Sequence, residues 1–585
     1  PGAVSSGPPS FDLEVQAPKE VRELLEQHLD LQRFRTLGDL RRSELTRLLG
    51  AADGNIRSLL GTLGYFSPSV ELQLVETPEN KDTPRKVVVH VDPGTATKVT
   101  HTDIDFVGVN ADDPKGLGLR EITRRGWSLK EGDTFTQSGW GSAKIDGMRR
   151  LQNRRYPTAQ LKESRADIDA DTSEAQLKVT YEAGPAYYFG PLVIEGAQRY
   201  NPSGLIRLAR LPVGNEYRQS DLLDAQQRLA SSGYYDSVFL TLATEVAQPN
   251  DTEVHAPVIA EVREAKLQKW IYGLGFSTDT GARFSIDHTH NRVPYLGWRA
   301  VSKLQLDKEN PLISTRVTSL PDYSGWNYFF GGKAAREELA DYTANSLTLL
   351  AGRSKNEDKI DRSYFVQYDL AKINDDDTQP SSSAITANYS WTGRYFNNPS
   401  SPTRGYGLGW EAGAGTTLTP KREPFGRIAA RWLYLRPFAR KPGQTGRSSR
   451  LAFRLHGGAV IAREDAVVPI TQLFLSGGDT TVRGYSYQSL GARTDNGKLM
   501  GGRYMAAGSV EWQRPVTIAG NSSDWEHAMF VDAGTVTDSL DIYTVFVGVG
   551  TGIRWRSPVG PLQADLAYGL ETKEVRLHLR LGFNF

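Results

Sequence analysis

From Gln268 to the end of the chain, apolar and polar residues change places at nearly every second position. At the C-terminus Val575, Leu577, Leu579, Leu581, Phe583 and Phe585 alternate with Arg576, His578, Arg580, Gly582 and Asn584. Leu451, Phe453 and Leu455 alternate with Arg450, Arg454 and His456. Val545, Val547, Val549, Ile553 and Trp555 alternate with Gly548, Gly550, Gly552, Arg554 and Arg556. A period of two is that of an extended strand, with one face apolar and the other polar. Aromatic residues recur near the ends of these runs, as at Trp432, Tyr434, Trp512, Trp555 and Tyr568. Such rings suit the two interfaces of a bilayer. About sixteen runs can be delimited, the even number that a single-chain barrel needs. The pattern predicts an antiparallel transmembrane β-barrel over 266–585, apolar toward lipid and polar toward a wet lumen.

The first part of the chain reads differently. Leu45, Leu48, Leu49, Ala52, Ile56, Leu59 and Leu63 form one helical stripe that ends at Gly64-Tyr65-Phe66, and a strand follows over Val70 to Val75. Gly132-Asp133-Thr134-Phe135-Thr136-Gln137-Ser138 is echoed 82 residues later by Gly214-Asn215-Glu216-Tyr217-Arg218-Gln219-Ser220. Ser43, Ser138 and Ser220 are the expected helix starts. The unit is β-α-α-β-β, and it occurs three times, over 11–94, 95–184 and 185–265. Pro93-Gly94 and Gly184-Pro185 punctuate the joints. Residues 1–10, rich in Ser, Pro and Gly, read as a disordered tail. The helix, glycine-aromatic and strand order resembles the POTRA domain.

Composition narrows the function. Sixty-nine basic and 68 acidic residues leave a net charge of +1 and no overall field for nucleic acid. The absence of cysteine fits the periplasm or outer membrane. The chain opens on Pro1-Gly2, as a mature chain freed of its signal or a trimmed one would. Mean hydropathy is −0.45, and no run of about 18 uncharged apolar residues offers a transmembrane helix. A barrel is compatible with both, because half of each strand faces a polar lumen. No Gly-x-Ser-x-Gly elbow, P-loop or His-Glu-x-x-His is present, and Gly548-x-Gly550-x-Gly552 lies in a strand. His288 and His290 share a strand face without a third ligand. Neither an enzyme nor a cofactor or metal site is expected.

A segment of about 40 residues, 463–502, separates two barrel strands, and a loop that long is usually functional. It holds Ser476-Gly477-Gly478-Asp479-Thr480-Thr481-Val482-Arg483-Gly484-Tyr485. Val482-Arg483-Gly484-Tyr485 is similar to the VRG(F/Y) motif of the outer-membrane assembly superfamily that contains BamA, TamA and the two-partner secretion transporters. In that family the loop folds into the lumen and its arginine contacts acidic residues on the barrel wall. The candidates here are Glu511, alternating with Val510 and Trp512, and Asp532 in Phe530-Val531-Asp532-Ala533-Gly534.

Three POTRA-like units before a sixteen-stranded barrel most resemble the TamA branch. That resemblance implies an outer-membrane protein of a Gram-negative bacterium with residues 1–265 in the periplasm. It implies a factor that inserts autotransporter-type proteins, works with a TamB-like partner spanning the periplasm, and contacts unfolded substrates, outer-membrane lipid and lipopolysaccharide. A two-partner-type pore for one dedicated exported protein is the alternative. The barrel closes where its first strand meets its last. Gly273 and Gly275 weaken the first, and Leu577, Leu579 and Leu581 lie on the last, so this seam is a candidate lateral gate. The glycines could instead only relieve crowding at a bend. Phe583 and Phe585 resemble the terminal signal by which barrel proteins are themselves assembled.

Overall fold

The computed structural model describes residues 9–35, 40–76, 85–248, 250–277, 281–306, 310–338, 342–357, 359–374, 381–398, 402–438, 447–493, 497–518, 521–557 and 560–581. The N-terminal residues 1–8 of the expected tail, and Phe583 and Phe585, lie outside them. The chain divides into two compact units. One comprises Pro1–Gly196, Ala209–Arg228 and Ser237–Val262; the other comprises Ala197–Leu208, Leu229–Asp236 and Arg263–Phe585.

Three small sheets precede the barrel, and each has the same order: first strand, third strand, second strand. They are built from Asp12–Gln16, Ser69–Glu76 and Arg85–Asp92; from Lys98–Val107, Gln160–Asp169 and Glu174–Glu182; and from Ala186–Glu195, Tyr235–Leu242 and Glu253–Glu264. In every repeat the first and third strands pair in parallel, so a crossover must lie between them, and the helices supply it. In the first repeat Leu45, Ile56 and Leu60 of the helix Arg42–Thr62 are fully buried with Val87 and Val89 of the sheet. In the second, Trp140 and Leu151 of the helix Gln137–Gln152 pack with Trp127, Val179 and Tyr181.

Helix starts differ from those the serines suggest. The helix expected to follow Ser43 begins at Arg42, where the Glu44 carboxylate accepts the Arg41 amide at 2.9 Å in a capping box. Gln137–Gln152 is capped by Thr136, whose backbone is extended and whose Oγ1 accepts the Gly139 amide at 3.0 Å. Ser138 and Ser220 lie one residue inside their helices, where their own amides are already in the first turn.

In each repeat a residue with positive φ follows the last helix, and at the first two joints this residue ties the repeat to its successor. Gly64 (φ +93°) accepts the Thr97 amide at 2.9 Å, and an added Cβ would stand 2.1 Å from the Phe135 carbonyl oxygen. At the next joint Arg155 (φ +65°) takes this role. Its amide donates to the Tyr217 carbonyl at 2.9 Å, and its carbonyl accepts the Tyr187 amide at 2.8 Å. Its side chain, 2% exposed, lies 2.7 Å from Asp113 and 2.7 Å from Glu216, which belong to consecutive repeats. Tyr156 donates to the same Asp113 oxygen at 2.9 Å. Burial alone would raise the Asp113 carboxyl, but the hydrogen bonds from Tyr156 and Arg155 outweigh it and hold it below its ordinary value. Glu216 is lowered in the same way, its burial opposed by Arg154 and Arg155. Burial, with Asp113 beside it, pushes Tyr156 up to about 12.

The second unit is dominated by one sheet of sixteen antiparallel strands, each hydrogen-bonded to its neighbour in sequence. They are β1 (Gln268–Ser277), β2 (Gly281–His290), β3 (Arg299–Leu306), β4 (Leu312–Thr318), β5 (Asn327–Glu338), β6 (Thr343–Asn356), β7 (Ile360–Asn374) and β8 (Ser382–Phe396), followed by β9 (Gly405–Thr419), β10 (Pro424–Pro437), β11 (Arg450–Ala462), β12 (Tyr504–Ile518), β13 (Asn521–Thr537), β14 (Phe546–Ser557), β15 (Gly560–Gly569) and β16 (Glu574–Leu581). Two faces are clear. Val510, Met529, Val531, Ile553, Leu566, Leu577 and Leu579 are exposed, whereas Glu511, Asp532, Arg554, Asp565 and His578 between them are buried. The exposed apolar face suits lipid, and the buried polar face lines the lumen. Outward aromatic rings stack across strands, as Trp525 does on Trp555 at 5.4 Å. Among the described residues no helix is long and apolar enough to cross a membrane, which says nothing of strands.

Candidate functional site: the lumen loop and its wall

The segment between β11 and β12 turns back into the lumen and crosses it. Its base is tied to one side. The Gln472 amide nitrogen donates to Asp369 of β7 at 2.6 Å, and Arg427 of β10 donates to the Gln472 carbonyl at 3.0 Å and lies over the Phe474 ring. Within the loop, Phe474 bridges to Gly502 and Ser476 to Leu490, and Ala492–Arg493 pairs with Leu499–Met500. The tight turn is possible because Gly477 and Gly478 have φ near +100°. The Gly478 amide then faces the carbonyls of Val482 and Tyr485, both at 3.1 Å, closing the motif into a compact tip.

Arg483 occupies that tip with 2% of its side chain exposed. All five of its guanidinium N–H groups have acceptors. Nε donates to Asp532 at 2.7 Å, Nη1 to Glu511 at 2.7 Å and Asp565 at 2.9 Å, and Nη2 to Asp532 at 2.9 Å and Ser509 at 3.2 Å. The backbone amide of Arg483 adds a bond to Asp532 at 3.0 Å, and its guanidinium lies 3.4 Å from the Phe530 ring centre. A second buried arginine, Arg554, shares Glu511 (Nη2 to both oxygens at 2.9 Å) and is hydrogen-bonded to Asp565. Two guanidinium groups therefore face three carboxylates, and every one of the five side chains is buried or nearly so. Charges are tolerated there because each is paired and hydrogen-bonded.

The flanking motif residues fix the tip to the last strands. Val482 is fully buried with Leu490 and Ala507. The Tyr485 hydroxyl bonds the Val547 carbonyl at 3.0 Å and the Glu571 carboxylate, and its ring meets Phe546 edge-on. Gly484 (φ +94°) lies backbone to backbone on β15, since an added Cβ would stand 2.8 Å from the Gly569 nitrogen. The Gly484 amide donates to Nε2 of His578 on β16 at 3.1 Å.

Of the residues singled out in the sequence, Arg483, Glu511 and Asp532 are thus brought together, and Val482, Gly484 and Tyr485 seat them. Ser509, Arg554, Asp565, His578 and Glu571 complete the site and were not foreseen. Gly273 pairs with Ser285 and Gly275 with Arg283 on β2, Leu577 and Leu579 face outward on β16, and Leu581 ends that strand. Among the described residues no ladder joins β1 to β16. His288 stacks on Trp270 at 4.0 Å, and no group of three or more potential metal ligands exists among the described residues.

Residues 271–585 match the model of the Omp85 superfamily domain. The chain belongs to the Omp85 superfamily. Residues 187–265 match the POTRA family described as a surface antigen variable number repeat. A curated relative, the outer membrane protein assembly factor BamA of Nitratidesulfovibrio vulgaris, is 24% identical over 414 residues, 66% of this chain and 49% of its own. This Omp85 chain therefore spans about half the length of that relative. A crystal structure of Haemophilus ducreyi BamA lacking POTRA domains 1–3 is similar in fold, with a TM-score of 0.62, 16% identity, and 83% of this chain and all of that one covered. CdiB of Acinetobacter baumannii is a more distant likeness, with a TM-score of 0.45 at 15% identity over 84% of this chain and 91% of its own. The Omp85 barrel sits in a Gram-negative outer membrane with its POTRA segment in the periplasm.

Proposed function

We propose that this Omp85 protein assembles autotransporter-type proteins into the outer membrane through a seam between β1 and β16. The observation that carries the reading is the reach of the motif loop. Its tip contacts β12, β13, β14, β15 and β16, and among the described residues these motif contacts include none to β1. Among the described residues these contacts hold the β16 edge of the seam from inside and include none to the β1 edge. A substrate strand could then add to the free edge of β1 by β-augmentation. The BamA relative, named an outer membrane protein assembly factor, supports the same class of function. The POTRA units, proposed to span 11–94, 95–184 and 185–265, would receive unfolded substrate together with a TamB-like partner, and outer-membrane lipid and lipopolysaccharide would surround the barrel.

The chain has no cysteine, so a pair introduced on the outward faces of the two seam strands, as Tyr272→Cys and Leu577→Cys, is the only one that can oxidise. Crosslinking the seam should abolish insertion of an autotransporter barrel into vesicles while the protein keeps its compact, heat-modifiable form on gels. Undiminished insertion by the fully crosslinked protein rules the seam out. Deleting the gene and comparing outer-membrane proteins separates this function from dedicated secretion. Autotransporters lost as a class fit insertion, and one missing large exported protein fits the secretion pore.

A further inference from the structure

The lipid-facing surface of the barrel carries its charge at one end. Because β1 follows the POTRA segment, odd-numbered strands begin and even-numbered strands end on the periplasmic side. Outward positions on β6 to β14 are those that alternate in step with exposed Leu349, Val366, Val510, Val531 and Ile553. Five cations occupy such positions toward the periplasmic ends: Arg353 and Lys355 on β6, Arg362 on β7, Arg436 on β10 and Arg514 on β12. Cross-strand pairing agrees, since Arg353 stands opposite Tyr364, Arg436 opposite Leu451 and Arg514 opposite His527. Among the described residues no Asp or Glu of these strands shares that face. Their carboxylates, as at Asp369, Glu411, Glu511 and Asp532, take the alternate positions that face the lumen.

The same end is ringed by aromatic side chains. Trp326, Tyr364, Tyr389 and Trp410 follow one another around the outward face at 5.6, 4.7 and 5.3 Å between ring centres. Such a row marks the boundary between acyl chains and headgroups. The Arg353 guanidinium lies over Trp326 at 4.6 Å and over Tyr364 at 5.4 Å. Along β10 the outward order toward the periplasm is Trp432, Tyr434, Arg436; along β12 it is Val510, Trp512, Arg514. Each guanidinium is thus beside or one step beyond a ring, at the depth of the headgroups. Lys355 and Arg362 share Glu357 of the connecting turn, at 3.3 and 2.6 Å. Arg353, Arg436 and Arg514 are exposed, and among the described residues their guanidinium groups have no hydrogen bond or ion pair.

We infer that this rim is a binding surface for anionic phospholipid headgroups of the periplasmic leaflet. A guanidinium presents parallel N–H donors that match phosphate oxygens two at a time. Its long stem lets the charge reach the headgroups while the methylenes stay among acyl chains. Phosphate is common to zwitterionic and anionic phospholipids, so the surplus of cations on this face is what selects the anionic ones. An acidic polypeptide has the matching charge, but it would have to displace the lipid that covers Trp326, Tyr364 and Trp512 at the bilayer interface. The inference rests on the outer-membrane placement of the barrel and is independent of the seam.

Native mass spectrometry of the full-length protein released from detergent counts the lipid that stays bound. The probes are phosphatidylglycerol and phosphatidylcholine with the same acyl chains, glycerol phosphate, and an aspartate-rich peptide. Phosphatidylglycerol should bind at least about tenfold more tightly than phosphatidylcholine. Arg353→Gln, Arg436→Gln and Arg514→Gln together should bring the two lipids to within about twofold of each other. The corresponding triple change to lysine should keep most of the preference. Lys372→Gln, on the same face at the opposite end of β7, should leave it unchanged. The preference of the unaltered protein needs no variant, and heat-modifiable migration shows that each variant is folded. Equal binding of the two lipids by the unaltered protein overturns the inference. So does a preference that survives the three glutamines or is lost equally in Lys372→Gln. Glycerol phosphate binding as tightly as the lipid, or the peptide binding in its place, overturns the assignment to a lipid.

Discussion

Two arginines in this molecule are buried to the same degree, and they are solvated in opposite ways. Arg155 joins two POTRA units and Arg483 holds the lumen loop, each with 2% of its side chain exposed. The partners of Arg483 are sealed with it: Asp532 is 0% exposed, Asp565 6% and Glu511 10%. The partners of Arg155 reach the surface, at 11% for Asp113 and 22% for Glu216. Arg483 faces a surplus of carboxylate and spends every N–H on it and on Ser509. Arg155 has two carboxylates supplemented by neutral Tyr156 and Tyr188 hydroxyls. Buried charge is thus used in two ways. The more deeply buried cluster is the costlier to break, and the one with the more exposed partners responds more to pH and salt.

The comparison can be broken most forcefully at Arg483. Arg483→Ala leaves buried Asp532 without a cation and Glu511 and Asp565 with Arg554 alone, and should cost about 3–5 kcal/mol of barrel stability. The urea midpoint of the heat-modifiable form would report it. Arg483→Lys should recover little, because an ammonium cannot serve three carboxylates with a planar fork. Next in size is Arg155→Gly. Glycine accepts φ +65° without strain, so only the side-chain clamp is lost, at about 1–3 kcal/mol. Spin-label distances between the second and third POTRA units of the full-length protein should broaden while the barrel midpoint stays put. A shift in the barrel midpoint instead would mean that the two arginines are coupled.

Acid sharpens the contrast. Asp113 and Glu216 are held below their ordinary values of 3.8 and 4.5. Their contribution is complete above those values and is lost as pH falls through the depressed range beneath them. The joint should therefore loosen below about pH 4, read by the same spin-label pair, and be unaffected between about pH 6 and 8. Loosening on the neutral side would contradict the carboxylate assignment. The smallest effect belongs to Arg154→Ala. Its 2.8 Å pair with Glu216 is half in solvent, so about 0.2–1 kcal/mol, erased by salt, is expected from thermal melts.

The sequence disclosed faces more readily than depths. Alternation told which side of β12 and β14 looks inward, and the motifs told that Arg483 needs carboxylates, so Glu511 and Asp532 could be named. Arg554 sits on an equally visible lumen face, and Asp565 lies in a run whose alternation was not read. Which of them meets Arg483 depends on the stagger of strands, a property of the closed sheet rather than of any one run. Gly548 was noted only for what it is not. Its role emerges with the loop in place, because an added Cβ would stand 1.8 Å from the Arg483 carbonyl oxygen. Arg155 was hidden because it stands where the other two repeats have Gly64 and Gly233, and its value lies in partners from both neighbouring repeats. The serine echo misplaced two helix starts because capping follows backbone conformation, which gave the role to Thr136 in the second repeat.

The loop has one more consequence, and it concerns mechanics. Anchored at Asp369 and Arg427 on one side and at Glu511, Asp532, Asp565 and His578 on the other, it is a chord drawn across a circle. A ring with a stiff chord cannot dilate evenly. The arc from β7 to β16 keeps its span for as long as the chord holds, so any widening of the bore must be taken up by β1 to β6.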